Sequence, residues 1–155
     1  MKLPSRRWWF RAGLGLLLAL VAIQFVPYGH SRVNPAIAAE PAWDSPATRA
    51  LAKQACFDCH SNETEWPAYS RVAPVSWLIQ HDVSEGRAVL NFSEWQWAQK
   101  EAKEAREEVL EREMPPAIYQ VMHAHARLSD ADRDWLARGL ANTLGQPLGA
   151  ADSDR

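Results

Sequence analysis

Cys56-Phe57-Asp58-Cys59-His60 constrains this chain more than any other stretch, because it sets two thiols and an imidazole close together along the backbone. Two cysteines separated by two residues, with a histidine directly after the second, have the spacing of a c-type haem attachment site. Both thiols become thioether bonds to porphyrin vinyl groups, and the imidazole is held against the iron as its proximal ligand. All three side chains can meet one flat ring only if they share a face. A helix meets that condition, since Cys56, Cys59 and His60 then fall at i, i+3 and i+4. Three other readings compete. A redox disulfide would normally follow a strand in a βαβ unit, and no strand pattern lies nearby. A zinc site would need further ligands at short spacing, while the chain has only these two cysteines. Chance is disfavoured by the export signal upstream.

That signal occupies the amino terminus. Lys2, Arg6, Arg7 and Arg11 stand there without an acidic residue, and an apolar run follows from Ala12 to Tyr28 with Gln24 its only strongly polar member. Counted back to Trp8 and Trp9, the run offers about twenty residues, enough for a helix to cross a bilayer core of roughly 30 Å. Arg11 then snorkels toward the surface, and Trp8, Trp9 and Tyr28 sit where interfacial aromatics belong. Residues 1–28 therefore predict a membrane anchor. The alternative is a signal sequence cleaved after Ala36-Ile37-Ala38, which has the small-x-small form. The length of the run and its distance from Ala38 favour the uncleaved anchor. Either way the basic residues keep the amino terminus in the cytoplasm and export the rest. The predicted location is the bacterial cytoplasmic (inner) membrane, single-pass, with the haem domain on the periplasmic side, where haem is attached covalently.

Four of the seventeen basic residues lie in that amino-terminal stretch, which leaves thirteen basic against nineteen acidic groups, a net charge of −6, on residues 31–155. An acidic exported domain is a poor candidate for nucleic acid binding. It suits a partner with a basic docking face.

Residues 29–44 hold Pro35 and Pro41, small side chains and no apolar period, and read as a tether. Ser45-Pro46 then supplies an N-cap with proline at the first helical position, opening a helix through Leu51 and Ala55 into the cysteine motif. Residues 61–74 read as an irregular loop. Its Trp66 and Tyr69 are candidates to cover a haem face, with Arg71 near a propionate, or simply to close the core. Val75, Leu78, Ile79 and Val83 follow the helical period, and Gly86 is the candidate stop. His81 on that helix reads as a surface residue. Ser93-Glu94-Trp95-Gln96 has the form of a capping box and predicts the longest helix, running to about Glu113. Its packed stripe is Trp95, Ala98, Ala102, Ala105 and Val109, with Lys100 paired to Glu104 and Glu108 to Arg112 on a solvated face. Met114-Pro115-Pro116 stops it. Met122, His123 and His125 lie on a short segment. Ser129 caps a last helix with apolar positions Ala131, Trp135, Leu136, Leu140 and Leu144, ended by Gly145 and Pro147. The haem domain is thus 45–144, and 145–155 is expected to be a flexible tail.

A sixth iron ligand is expected from this domain. Methionine opposite the histidine of the attachment motif raises the reduction potential of cytochromes c. Met114 is the first candidate, because the following prolines stiffen its loop and a stiff loop loses less entropy on binding. Filling a core gap is its other reading. His123 and His125 are the alternative ligands, and an open position is the third option. A saturated iron suits outer-sphere electron transfer, whereas an open one allows gas binding or peroxide chemistry.

The chain also resembles the bacterial haem-binding domain family, small membrane-anchored proteins similar to c-type cytochromes. The resemblance runs from about Trp43 to Leu140 and rests on blocks in order. They are Ala55 through Thr64, Trp66-Pro67, Tyr69-Ser70, Ala73 through Trp77, Asn91-Phe92-Ser93-Glu94-Trp95, Glu113-Met114-Pro115-Pro116 and Arg127-Leu128-Ser129. It implies an all-helical haem domain behind an amino-terminal anchor, with Cys56, Cys59 and His60 in the attachment roles. Two positions depart from the pattern: Ala68 stands where a second aromatic is expected, and Ala124 follows His123 where proline is common.

Together these readings predict an all-α protein, a small cytochrome c-like helical haem domain preceded by one N-terminal transmembrane helix. It carries one covalently attached haem c and its iron, and moves single electrons between unidentified redox partner proteins, as a carrier rather than an enzyme. The alternative is a haem-based gas or redox sensor, or a peroxidase-like protein, with a labile or open sixth position. A core drawn from about 110 residues is small, and the apolar haem is expected to complete it.

Overall fold

The computed structural model describes residues 5–145, and every regular element among them is helical; strand-like pairing is confined to one bridge between Ala39 and Glu94. The all-α expectation therefore holds for the described residues. The chain divides into two units, Met1–Val33 with Trp66–Asp82, and Asn34–Glu65 with Val83–Arg155. The expected tail beyond Gly145 lies outside the described residues.

In the first unit, helix α1 covers Arg6–Ala22 and a 3-10 turn carries it to Phe25. Arg6–Phe25 is twenty residues long with a mean hydropathy of 1.6 and none of its apolar face buried, which makes it a candidate membrane span by length and composition. Gln24, the polar residue of the apolar run, has a definite use. Its Nε2 donates to the carbonyls of Leu20 (2.9 Å) and Ala73 (3.0 Å), and its Oε1 accepts from the Ala73 N–H at 3.0 Å. Gly29 (φ +79°) is left-handed, and a Cβ there would lie 2.7 Å from the Trp77 ring, so both its conformation and its space require glycine.

The second unit opens on the stretch read as a tether. Residues 34–44 are bonded to its other parts: the Ala38 and Ala39 N–H groups donate to the Ser93 carbonyl, and the Trp95 N–H donates to that of Ala39. Glu40 accepts from Trp43 Nε1 at 2.8 Å and takes both arms of Arg49 at 2.7 and 2.6 Å. That guanidinium holds the Glu40 carboxyl below the usual range, against the opposing effect of partial burial. Helix α2, Pro46–Ala55, begins as expected, with Ser45 Oγ accepting from the Thr48 N–H at 3.1 Å. It does not run unbroken into the motif. Cys56 leaves helical geometry (φ −122°, ψ −34°) and caps a separate turn, α3, Phe57–His60. The turn still closes, because the N–H groups of Cys59 and His60 both donate to the Cys56 carbonyl, at 3.1 and 2.9 Å.

Helix α4, Val75–Val89, passes straight through Gly86, the expected stop. The glycine serves close approach instead: a Cβ there would fall 2.6 Å from the Cys59 carbonyl oxygen. A larger correction concerns the predicted long helix from Ser93. Only α5, Ala105–Leu110, is helical, and residues 91–104 form turns. The capping residues are spent elsewhere. Ser93 Oγ accepts from the Asn62 N–H (2.9 Å) and Glu94 Oε1 from Asn62 Nδ2 (3.0 Å), while beyond the box Gln99 Oε1 accepts from the Asn91 N–H (2.7 Å). Long-range bonds among buried Asn62, Asn91 and Ser93 thus outweigh local capping. Arg112, expected to pair with Glu108 in that helix, turns the chain with φ +66° and meets Asp130 at 2.7 Å.

Helix α6, Ala117–Met122, is short. Helix α7, Asp130–Leu144, starts at the expected Ser129 cap, whose Oγ accepts from Asp132 N–H at 3.1 Å, and ends at left-handed Gly145. Its buried face is Arg133, Leu136, Ala137, Gly139, Leu140 and Ala141, while Trp135, expected inside, is half exposed. Gly139 lets α7 cross α2 at Thr48, whose side chain a Cβ would overlap. The core gathers Ala52, Phe57, Phe92, Val109, Leu136 and Leu140. Phe92 is its centre, stacked on Phe57 at 5.7 Å and Trp95 at 6.2 Å and tilted toward Trp43 at 5.1 Å.

Candidate functional site

Within the second unit a cavity of about 290 Å³ is lined by Cys56, His60, Leu90, Phe92, Glu101, Ala105, Glu108, Val109, Met114 and Leu140. Three residues singled out from the sequence, Cys56, His60 and Met114, thus share one space although nearly sixty residues separate Cys56 from Met114. The remaining walls are mostly apolar, with two carboxylates.

His60 is held by the end of α4. Its Nδ1 lies 3.0 Å from the Gly86 carbonyl and 3.1 Å from that of Leu90, two oxygens that only accept, so Nδ1 carries the hydrogen. The lone pair is then on Nε2, the tautomer needed by a metal ligand oriented through its other nitrogen. Burial pulls the His60 pKa below its ordinary value, although the two carbonyls and Glu101 oppose it. That shift favours the neutral ring. Its backbone carbonyl accepts from the Phe92 N–H at 2.8 Å, which fixes the imidazole beside an aromatic wall.

Gly86 serves the site twice, with a bare Cα that admits Cys59 and a carbonyl that orients His60. Gly86→Ala is expected to destabilise the domain by roughly 1–3 kcal/mol, the cost of overpacking a filled interior. Guanidinium unfolding measures it, and an unchanged midpoint would contradict the close approach.

Cys56 and Cys59 are not joined in a disulfide. Burial, reinforced by the neighbouring Cys59, pushes the Cys56 thiol up to about 12. A redox-active Cys-x-x-Cys pair works through a lowered thiol pKa, so the shift runs against the disulfide reading. Cys59 is half-buried and does not line the cavity; its backbone lies against Gly86. Asp58 between the cysteines secures the turn, with Oδ1 accepting from the Glu65 N–H at 2.8 Å and Oδ2 from the Tyr119 hydroxyl at 2.5 Å.

Met114 is half-buried, and its N–H donates to the Glu108 carbonyl at 3.0 Å, folding the chain back on α5. Arg133 Nη1 donates to the Val109 carbonyl at 2.7 Å and more weakly to that of Met114 at 3.4 Å. Burial lowers the Arg133 pKa from its ordinary value, and Arg112 acts in the same direction.

His123 and His125 are not brought to this cavity. His123 stacks on Tyr119 at 4.0 Å and meets His125 edge-on at 5.6 Å; exposed His125 lines a separate groove with Arg49, Lys53, Asp58 and Glu65. Trp66 and Tyr69, offered as haem covers, and Arg71, offered to a propionate, belong to the first unit. The sequence reading missed Leu90, Phe92, Glu101, Gly86 and Arg133. The block Asn91-Phe92-Ser93-Glu94-Trp95 held a signal for Phe92; nothing in the local pattern marked Arg133.

Compared with known protein families, residues 18–142 match the model of the haem-binding domain. The chain belongs to the haem-binding domain family. Neither the curated proteins nor the solved structures compared with it include a match. The residues of the cavity fit haem in type: a neutral, oriented imidazole, a thioether, a thiol and an apolar lining. Its volume, about 290 Å³, lies just below the roughly 300–1,000 Å³ usual for small-molecule sites.

Proposed function

We propose that this haem protein is a single-haem, c-type electron carrier held at the outer face of the bacterial cytoplasmic membrane. The observation that carries the reading is that Cys56, His60 and Met114 line one cavity, with His60 Nδ1 already committed to two carbonyls. Haem supplies one-electron chemistry when bound, through ferric and ferrous iron. Cys56 and Cys59 attach the ring. Each thiol would hold the ring through one sulfur–carbon bond in place of a vinyl π bond, its hydrogen going to the other vinyl carbon with no change in electron count. His60 Nε2 and the Met114 thioether would be the protein's donors to the iron, while Leu90, Phe92, Val109 and Leu140 would exclude water.

Membrane attachment through α1 is supported by its length and hydropathy, and the outward placement of the haem domain by the basic residues before the apolar run. The net charge of −6 on residues 31–155 favours a redox partner with a basic face. His123 and His125 line no part of the His60 cavity, which removes the most obvious distal base from a peroxidase-like reading.

The test is the visible spectrum of the full chain, made in a host able to attach haem and purified in detergent. A Soret band, one haem per chain and little response of the reduced form to carbon monoxide are expected. No Soret band with two titratable thiols would instead establish a thiol protein. Rapid carbon monoxide binding would favour the sensor or peroxidase-like reading.

A further inference from the structure

Arg133 is the one charged side chain among the described residues that is more than nine-tenths buried, at 6% exposure. Its Nε has no hydrogen-bond partner among the described residues, while Asp130 and Asp134 favour its charge and Arg112 opposes it. Enclosing a guanidinium with one nitrogen left unbonded is costly, and an apolar side chain would fill the same space at less expense. What it does hold is specific. The carbonyls of Val109 and Met114 both belong to residues that line the His60 cavity, and Arg133 joins them to α7 through Nη1. With the Met114 N–H bound to Glu108, both backbone polar groups of Met114 are engaged. The side chain is the part left to move.

We propose that Arg133 is a positioning residue for the haem site: it fixes the Met114 backbone so that the thioether stays within reach of iron held by His60, and its buried charge favours the reduced state. This rests on the reading of Met114 as distal ligand. The electrostatic part follows from sign alone, since reduction adds one negative charge near a fixed positive one. The bland role, capping the carbonyl end of α5, requires only the Val109 bond.

The test compares Arg133→Met, Arg133→Lys and Met114→Ala with the natural holo-protein. Carbon monoxide binding to ferrous haem, the reduction potential and guanidinium unfolding are read on each. Arg133→Met is expected to raise the fraction of iron lacking its sixth ligand by roughly tenfold, the factor matching loss of one hydrogen bond to a charged group, and to lower the potential. Arg133→Lys keeps the charge but not the planar reach to both carbonyls, so faster carbon monoxide binding with a potential near the natural one is expected. If Arg133→Met unfolds more easily while its carbon monoxide kinetics and potential stay unchanged, Arg133 is only a cap and the proposal fails. Should Arg133→Met not accumulate with haem, unchanged kinetics in Arg133→Lys overturn it and faster kinetics support it. A Met114→Ala protein with natural kinetics removes the ligand reading itself; a changed Met114→Ala beside an unchanged Arg133→Met leaves that reading standing and removes Arg133 alone.

Discussion

A chain carrying both Cys56→Ser and Cys59→Ser is expected to release its haem into acidified organic solvent almost completely, while the natural chain retains it through denaturing electrophoresis. Two thioether bonds survive loss of the fold, whereas His60, Met114 and apolar walls hold only while the cavity exists. The double variant should also unfold at lower temperature, since reversible binding stabilises a protein only as far as free haem exceeds its dissociation constant. Each single variant is expected to keep one link and remain coloured after electrophoresis. Haem that stays on the double variant would overturn the attachment role. Loss of haem from the natural chain would do the same. The contrast is informative because Cys56, pushed up to about 12, is poorly suited to act as a thiolate in a redox pair.

Met114→Ala is expected to open the iron. The ferrous protein should then bind carbon monoxide readily, and the reduction potential should fall, because a thioether ligand favours ferrous iron. Met122→Ala is the matched control: Met122 ends α6 with 62% of its surface exposed and lines no part of the cavity. Its variant should keep the natural spectrum. A natural spectrum in Met114→Ala would exclude Met114 as the ligand.

Elements governed by neighbours in sequence were legible from the sequence. Ser45 with Pro46 starts α2, Ser129 starts α7 and Gly145 ends it, because each cap bonds within a few residues and needs no distant partner. The same reasoning failed at Ser93. A capping box describes what those side chains can do locally, and in the folded chain Asn62 takes the serine hydroxyl and the glutamate carboxylate first. Gly86 misled for a related reason: glycine reads as a helix stop, yet here it is small because the Cys59 backbone crosses it. Trp135 kept the helical period and still faces outward, since periodicity names a stripe without saying which flank meets the core.

What the sequence determined alone is the chemistry on offer: a Cys-x-x-Cys-His run of two thiols and an imidazole, an apolar amino-terminal run and a methionine followed by two prolines. These follow from covalent order, which folding does not alter. Tertiary structure decided which groups meet. It brought Met114 to the cavity of His60, left His123 outside that cavity and His125 on another groove, oriented the His60 ring by the carbonyls of Gly86 and Leu90, and buried Arg133 beside the Met114 backbone. Those outcomes depend on long-range hydrogen bonds and close contacts between segments far apart in the chain, for which local spacing carries no record.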